Sequence, residues 1–106
     1  MDARDWYAWY KSRGGSQLRV LLMDLWDPIG VRGVPEAIDE YDTYAGRIAN
    51  SIRAGADVGD VAAMLSDART DAMGLSADPA TDAAAAAAII DWYVGAMRAE
   101  EAAGGN

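Results

Sequence analysis

The sequence predicts an all-α fold, a four-helix bundle with a short aromatic N-terminal arm. Apolar residues recur at spacings of three and four along most of the 106 residues. Capping residues, prolines and glycines separate these periodic segments. Apart from the ambiguous run DWYAWY, no segment alternates as a strand does. A chain of this length suits one compact domain, so we expect an arm over residues 1–15, a helical domain over 16–100 and a flexible tail over 101–106.

The N-terminal arm is predicted from its aromatic residues. Trp6, Trp9 and Tyr10 follow i, i+3, i+4 spacing, and Gly14 and Gly15 are expected to end the segment. Two interpretations of the tryptophans stay open. They either cover one edge of a small core or form an aromatic surface for a partner.

The first helix of the domain is predicted to begin at Ser16 as N-cap and to end at Trp26. Asp27 precedes Pro28, and a proline disfavours helical geometry at the residue before it. The apolar face of this helix consists of Leu18, Leu21, Leu22 and Leu25.

The second helix is predicted over about residues 35–54, closed by Gly55. Asp57 and Asp60 form a capping box that opens the third helix, and Gly74 ends it. The predicted buried stripes are Ile38, Tyr41, Ala45, Ile48 and Ile52 in the second helix, and Val58, Val61, Leu65, Ala68 and Ala72 in the third.

The fourth helix is predicted to open with Asp78 as cap and Pro79 in its first turn. It continues through the alanine run 83–88, because alanine is the best helix former. Asp82 and Asp91 interrupt the apolar run well short of a membrane span.

The charge of the chain restricts its partners. Seventeen acids against nine bases give a net charge of −8, which argues against nucleic acid and anionic membranes and favours a basic protein. The chain has no Cys and no His, so the commonest metal ligands and general base are missing, and we expect no cofactor and no metal. The N-terminus lacks the pattern of a signal peptide, which favours a cytoplasmic protein.

The acid excess is concentrated in the predicted hairpin over residues 24–42. Six acids and one base give −5 of the total −8. The helix dipole, at about 0.3–1 kcal/mol per charge, explains the acids in the first turns of the second helix. Asp24 and Asp42 lie outside those turns. The acids are either a solvated face or a surface for a basic partner, and the predicted partner-binding residues are Asp24, Asp39, Glu40 and Asp42.

Two tetrapeptides in this hairpin, WDPI at residues 26–29 and DEYD at residues 39–42, are followed by Ile48. This pattern resembles a family of small helical bacterial proteins of unknown function that share a WDPI…DEYD signature. The resemblance covers about residues 18–75 and implies immunity proteins of toxin systems. Members often carry a further acid after DEYD, where residues 43–44 of this chain are Thr and Tyr.

The same residues predict a structural motif of Trp26, Asp27, Pro28 and Tyr41. We expect Trp26 and Tyr41 to pack across the hairpin. We expect Asp27 to reach the N-terminal N–H groups of the second helix, which leaves Asp39 and Asp42 facing outward.

Three functions follow from these observations. The first is a non-catalytic binding protein that neutralises a basic partner, such as a nuclease toxin. The second is an oligomeric scaffold or adaptor, a homodimer for example, joined through Trp6, Trp9 and Trp92. The third is a metal enzyme that uses Asp27 with Asp39 or Asp42 as paired carboxylates, although no other catalytic group accompanies them.

Overall fold

The computed structural model describes residues 1–27 and 38–104, with the side chains of residues 1–27 and 41–103. Within these ranges the chain forms four helices and no strand. Helix α1 spans residues 3–25 as Ala3–Trp9, a π-helical turn Tyr10–Gly14, and Gly15–Leu25. Helix α2 is Ile38–Arg53, α3 is Val58–Asp67 followed by a π-helical turn Ala68–Ala72, and α4 is Pro79–Gly104. The predicted all-α four-helix bundle is confirmed.

The four helices form a closed ring. Helix α1 packs against α2 and α4, and α3 packs against α2 and α4. Their apolar faces meet in one cluster, so each helix is held by two neighbours. No helix of the described residues is sufficiently long and apolar to cross a lipid bilayer. The most buried large apolar side chains are Leu18, Leu22, Tyr41, Ile48, Val61, Leu65 and Ile89.

The predicted break between an arm and the first helix is wrong. Gly14 and Gly15 lie inside α1, and the hydroxyl of Ser16, the predicted N-cap, donates to the Arg13 carbonyl at 3.0 Å. Gly14 is instead needed for packing, because a Cβ there would lie 2.6 Å from Cη2 of Trp9. The two glycines therefore do not end the helix, and Gly14 gives room to the ring of Trp9, five residues earlier in the same helix.

The aromatic residues of the N-terminal segment belong to the core. Trp6 and Trp9 are only 3% and 5% exposed. The Trp6 indole N–H donates to the Tyr93 hydroxyl at 2.9 Å, and Trp9 stacks on Trp92 with ring centroids 5.9 Å apart. The Trp92 indole N–H donates to Oε1 of Gln17 at 2.9 Å. The interpretation of these tryptophans as the edge of the core is confirmed.

Most predicted helix ends are confirmed. Trp26 is the C-cap of α1, and Gly55 and Gly74 follow α2 and α3 with φ of +110° and +67°. These angles favour glycine because a side chain would be strained there. Asp57 and Asp60 form the predicted capping box, with reciprocal bonds of 2.9 and 3.0 Å.

The structure differs from the predicted stripes and from the predicted tail at four places. Leu25, which was assigned to the apolar face of the first helix, is the last residue of α1 and is exposed. Val58 and Ala72, which were assigned to the buried stripe of α3, are also exposed. The side chain of Ile38 lies outside the described residues. Val58 is the first residue of the helix, and Ala72 ends a π-helical turn that rotates it away from the expected face. Helix α4 continues to Gly104, so most of the predicted tail is helical. Glu100 forms an ion pair with Arg13 of α1, which ties down this last part of α4.

Candidate functional site

The ends of three helices meet at a buried polar cluster of Trp26, Arg69 and Asp82, called here the Asp82 cluster. Oδ1 of Asp82 accepts from the Trp26 indole N–H at 2.8 Å and from Arg69 Nη2 and Nε at 2.9 and 3.2 Å. Asp82 is 1% exposed and Arg69 is 7% exposed. One carboxylate oxygen therefore joins the end of α1, the π-helical turn after α3 and the first turn of α4.

The charges of Arg69 and Asp82 cancel, but the two carboxylate oxygens of Asp82 differ in their hydrogen bonds. The Arg69 guanidinium lies 6.0 Å from the centre of the Trp26 ring. The second carboxylate oxygen of Asp82 is buried and has no hydrogen-bond partner among the described residues. Burying two charges carries a large desolvation penalty, so such a pair specifies how helices meet more than it stabilises the fold. Removing one partner alone leaves an uncompensated buried charge.

The sequence carried a signal for this cluster. Asp82 precedes the buried Ala85, Ala86 and Ile89 at i+3, i+4 and i+7, and Arg69 follows the buried Leu65 at i+4. Two opposite charges on apolar stripes indicate a buried ion pair, because isolated charges are almost never buried. From the sequence, Asp82 was predicted only to interrupt an apolar run.

The predicted contact between Trp26 and Tyr41 is confirmed. Their ring centroids are 5.5 Å apart, and the buried Tyr41 donates its hydroxyl to Oδ1 of Asp27 at 2.8 Å. Asp27 has φ of +27°, a left-handed conformation that aspartate tolerates better than most residues. Pro28 and the predicted start of the second helix at Pro35 lie outside the described residues. Their roles, and the expected bonds from Asp27 to the N–H groups there, stay predictions.

Asp42, which was predicted to face outward, is accessible, but a cation already binds it. Arg19 of α1 donates two hydrogen bonds to the Asp42 carboxylate, from Nε to Oδ1 and from Nη2 to Oδ2, both at 2.7 Å. The two side chains are 38% and 37% exposed, so Asp42 is accessible but compensated. Arg19 precedes the hairpin in the sequence, and the charge balance over residues 24–42 therefore omitted it. Burial and the Asp42 carboxylate raise the pKa of Tyr10, while Arg19 lowers it.

The other predicted partner-binding acids are only partly placed. Asp24 is exposed in the last turn of α1. Asp39 and Glu40 lie in the first turn of α2, and their side chains fall outside the described set. The partner-binding assignment of all four acids stays a prediction.

The structure adds acids from α3 and α4 at the same end of the bundle. Among the side chains that the structure describes, the partly or fully exposed carboxylates at this end are those of Asp24, Asp27, Asp42, Asp67, Asp71 and Asp78, called here the acidic end. Arg19 and Arg47 are the described surface cations at this end, so six acids less two bases give −4. The remaining described surface has seven acids and five bases, or −2. Asp67 and Asp71 were missed because only folding brings them beside Tyr44 and Arg47 of α2.

The described residues of the candidate site form no cluster suited to a metal ion. No group of three acidic side chains within the described parts of the chain converges as metal ligands would. Asp27 accepts from the Tyr41 hydroxyl, and Asp42 is bound by Arg19. The side chain of Asp39 lies outside the described set, so the paired-carboxylate chemistry stays a prediction.

Comparison with known proteins adds no relative. No protein-family model matches the chain, and neither the curated proteins nor the solved structures contain a significant match. The resemblance to the family with the WDPI…DEYD signature therefore stays a prediction.

Proposed function

We propose that this chain is a non-catalytic, cytoplasmic binding protein whose acidic end recognises a basic protein. The observation that supports this function most is the uneven charge of the surface. The described residues of the acidic end carry a net charge of −4 from six acids and two bases. The rest of the described surface carries a net charge of −2 from a larger number of charged residues. The partner class follows from the sign of the charge, and the resemblance suggests an immunity protein that neutralises a toxin.

The fold supports this function by fixing the acids in place. The Asp82 cluster and the Trp26–Tyr41 contact hold the end of α1 against the other helices. Acids on held helix ends are presented with little loss of conformational freedom on binding. Complementary charge then accelerates association and selects the partner, more than it adds affinity.

The scaffold alternative loses the observation on which it rested. It required tryptophans at an interface between copies, but Trp6 and Trp9 are buried within their own chain. Trp92 is partly buried and stacks on Trp9.

Two variants of equal charge test the proposed function. The acidic-end variant carries Asp24→Asn, Asp67→Asn and Asp71→Asn, and the control carries the matched changes Asp5→Asn, Asp91→Asn and Glu101→Gln. All six residues are exposed. Asp42 is left intact, because Arg19 already binds its carboxylate within the chain.

Wild type and both variants are used as bait in a lysate of the native host at low salt. Quantitative mass spectrometry should find a basic protein that wild type and control enrich and that the acidic-end variant loses. Equal loss in both variants would mean that only net charge matters and would contradict a defined site. For the immunity role, co-expression of the chain should rescue growth from the captured protein, whereas the acidic-end variant should rescue poorly.

A further inference from the structure

A groove between α2 and α3 opens at the acidic end. Its volume is about 270 Å³. Ile48, Leu65 and Ala68 form a buried apolar floor, while exposed Asp67 and Asp71 stand on the α3 rim. Tyr44, Arg47, Met64 and Ala72 complete the lining.

The size of the groove indicates the kind of occupant. Sites for small molecules usually measure roughly 300–1,000 Å³ and enclose most of the ligand. A groove of about 270 Å³ lies below that range. It matches the pockets that receive one or two anchoring side chains at a protein interface.

The π-helical turn Ala68–Ala72 builds the groove and the Asp82 cluster together. The Met73 N–H donates to the Ala68 carbonyl at 3.0 Å, five residues back, so this turn holds one more residue than an α-helical turn. Arg69 turns inward to Asp82, whereas Asp71 and Ala72 are exposed at the groove. Such turns occur frequently at functional sites.

The rim charges indicate the chemistry of the occupant. Asp67 and Asp71 are like charges at i, i+4, a spacing at which they repel each other and destabilise the helix. Arg47 is the cation across the groove, so the rim keeps an excess of one negative charge within an acidic end of −4. A cation above Asp67 and Asp71 would relieve their repulsion.

We propose that this groove receives an aliphatic side chain of the partner, flanked by lysine or arginine residues that meet Asp67 and Asp71. The proposal rests on the proposed function and adds to it the contact point and the local sequence chemistry of the partner. The apolar floor takes the aliphatic side chain, and the acidic rim selects basic neighbours for it.

The test uses the full chain labelled with ¹⁵N and a capped hexapeptide of two leucines between two pairs of lysines. One control peptide replaces the leucines by glycine, and a second replaces the lysines by glutamate. Ala72→Leu fills the groove from an exposed position, and Ala63→Leu makes the same change at an exposed position of α3 outside the groove lining.

Binding of the leucine–lysine peptide should change the amide chemical shifts mainly at residues 44–48 and 64–72. Loss of one buried leucine contact, at about 1.5 kcal/mol, predicts about tenfold weaker binding for the glycine peptide and for Ala72→Leu. Ala63→Leu should bind like wild type, and the glutamate peptide should not bind.

Other outcomes separate the two proposals. Equal binding of the leucine and glycine peptides, or shifts confined to Asp24 and its neighbours, would overturn the groove while leaving an acidic end that binds cations. Shifts spread evenly over the chain, or none at all, would overturn both the groove and the proposed function.

Discussion

Replacing Asp82 by leucine perturbs the Asp82 cluster most directly. The change removes the acceptor of three hydrogen bonds of 2.8, 2.9 and 3.2 Å and leaves the 7% exposed guanidinium of Arg69 without a counter-charge. Breaking a buried ion pair from one side costs about 3–5 kcal/mol. A domain of this size is stable by about 5–15 kcal/mol, so the variant should be severely weakened.

The double variant Arg69→Met/Asp82→Leu should recover much of this loss. It replaces both charges by apolar side chains of similar length, which is often neutral or favourable. The Trp26 indole N–H still loses its acceptor, and an unsatisfied buried donor costs about 1–3 kcal/mol. We therefore expect a loss of about 1–3 kcal/mol for the double variant, with a coupling energy of about 2 kcal/mol or more between the two positions.

Urea unfolding followed by circular dichroism at 222 nm measures these free energies without depending on the fluorescence of Trp26. Asp42→Asn is the matched surface control, because its partner Arg19 is 38% exposed and such pairs contribute about 0–1 kcal/mol. Similar losses of stability in Asp82→Leu and Asp42→Asn would contradict a costly buried charge at this cluster. The single variant Arg69→Met completes the comparison. If the loss in the double variant equals the sum of the losses in Asp82→Leu and Arg69→Met, the two charges do not interact.

Three further predictions follow from local contacts. Gly14→Ala should destabilise the fold by about 1–3 kcal/mol, because its Cβ would overlap the Trp9 ring at 2.6–2.8 Å. Gly46→Ala, with nothing within 4 Å, should stabilise α2 by about 0.5–1 kcal/mol, and equal effects in thermal unfolding would refute the packing argument. The pKa of Asp78 is lowered from its ordinary value, chiefly by the hydrogen bond from the Thr81 hydroxyl. The contribution of the Asp78 carboxylate to stability is therefore present above the ordinary carboxyl pKa and is lost as the pH falls through the lowered pKa. Thr81→Ala should raise that pKa in an NMR titration, and an unchanged value would exclude the hydroxyl as its main cause. Asp42→Asn should lower the pKa of Tyr10, because it removes a carboxylate and leaves the opposing charge of Arg19; a rise in a tyrosine-selective NMR titration would contradict this electrostatic account.

Local chemistry made much of the fold predictable. Caps and stops depend on a few neighbouring residues, as at Asp57 with Asp60, at Gly55, and at Asp78. The contact of Trp26 with Tyr41 was predictable because a hairpin brings its two arms together.

Gly14 and Gly15 look like a break, but the ring of Trp9, five residues earlier in the same helix, needs the space above Gly14 and the helix continues. The remaining features depend on contacts between distant parts of the chain. Trp26 finds its acceptor 56 residues away in Asp82, a distance that no local pattern spans. The compensation of Asp42 by Arg19 was likewise missed, because the two residues belong to different helices.

If the acidic end, and not the overall charge, binds the partner, then two variants of equal charge bind it differently. The dissociation constant of the captured basic protein is measured for the acidic-end variant and for its control of equal charge. Three lost surface pairs at about 0.5 kcal/mol each predict about tenfold weaker binding for the acidic-end variant, and near wild-type binding for the control. Equal dissociation constants for the two variants would contradict the claim.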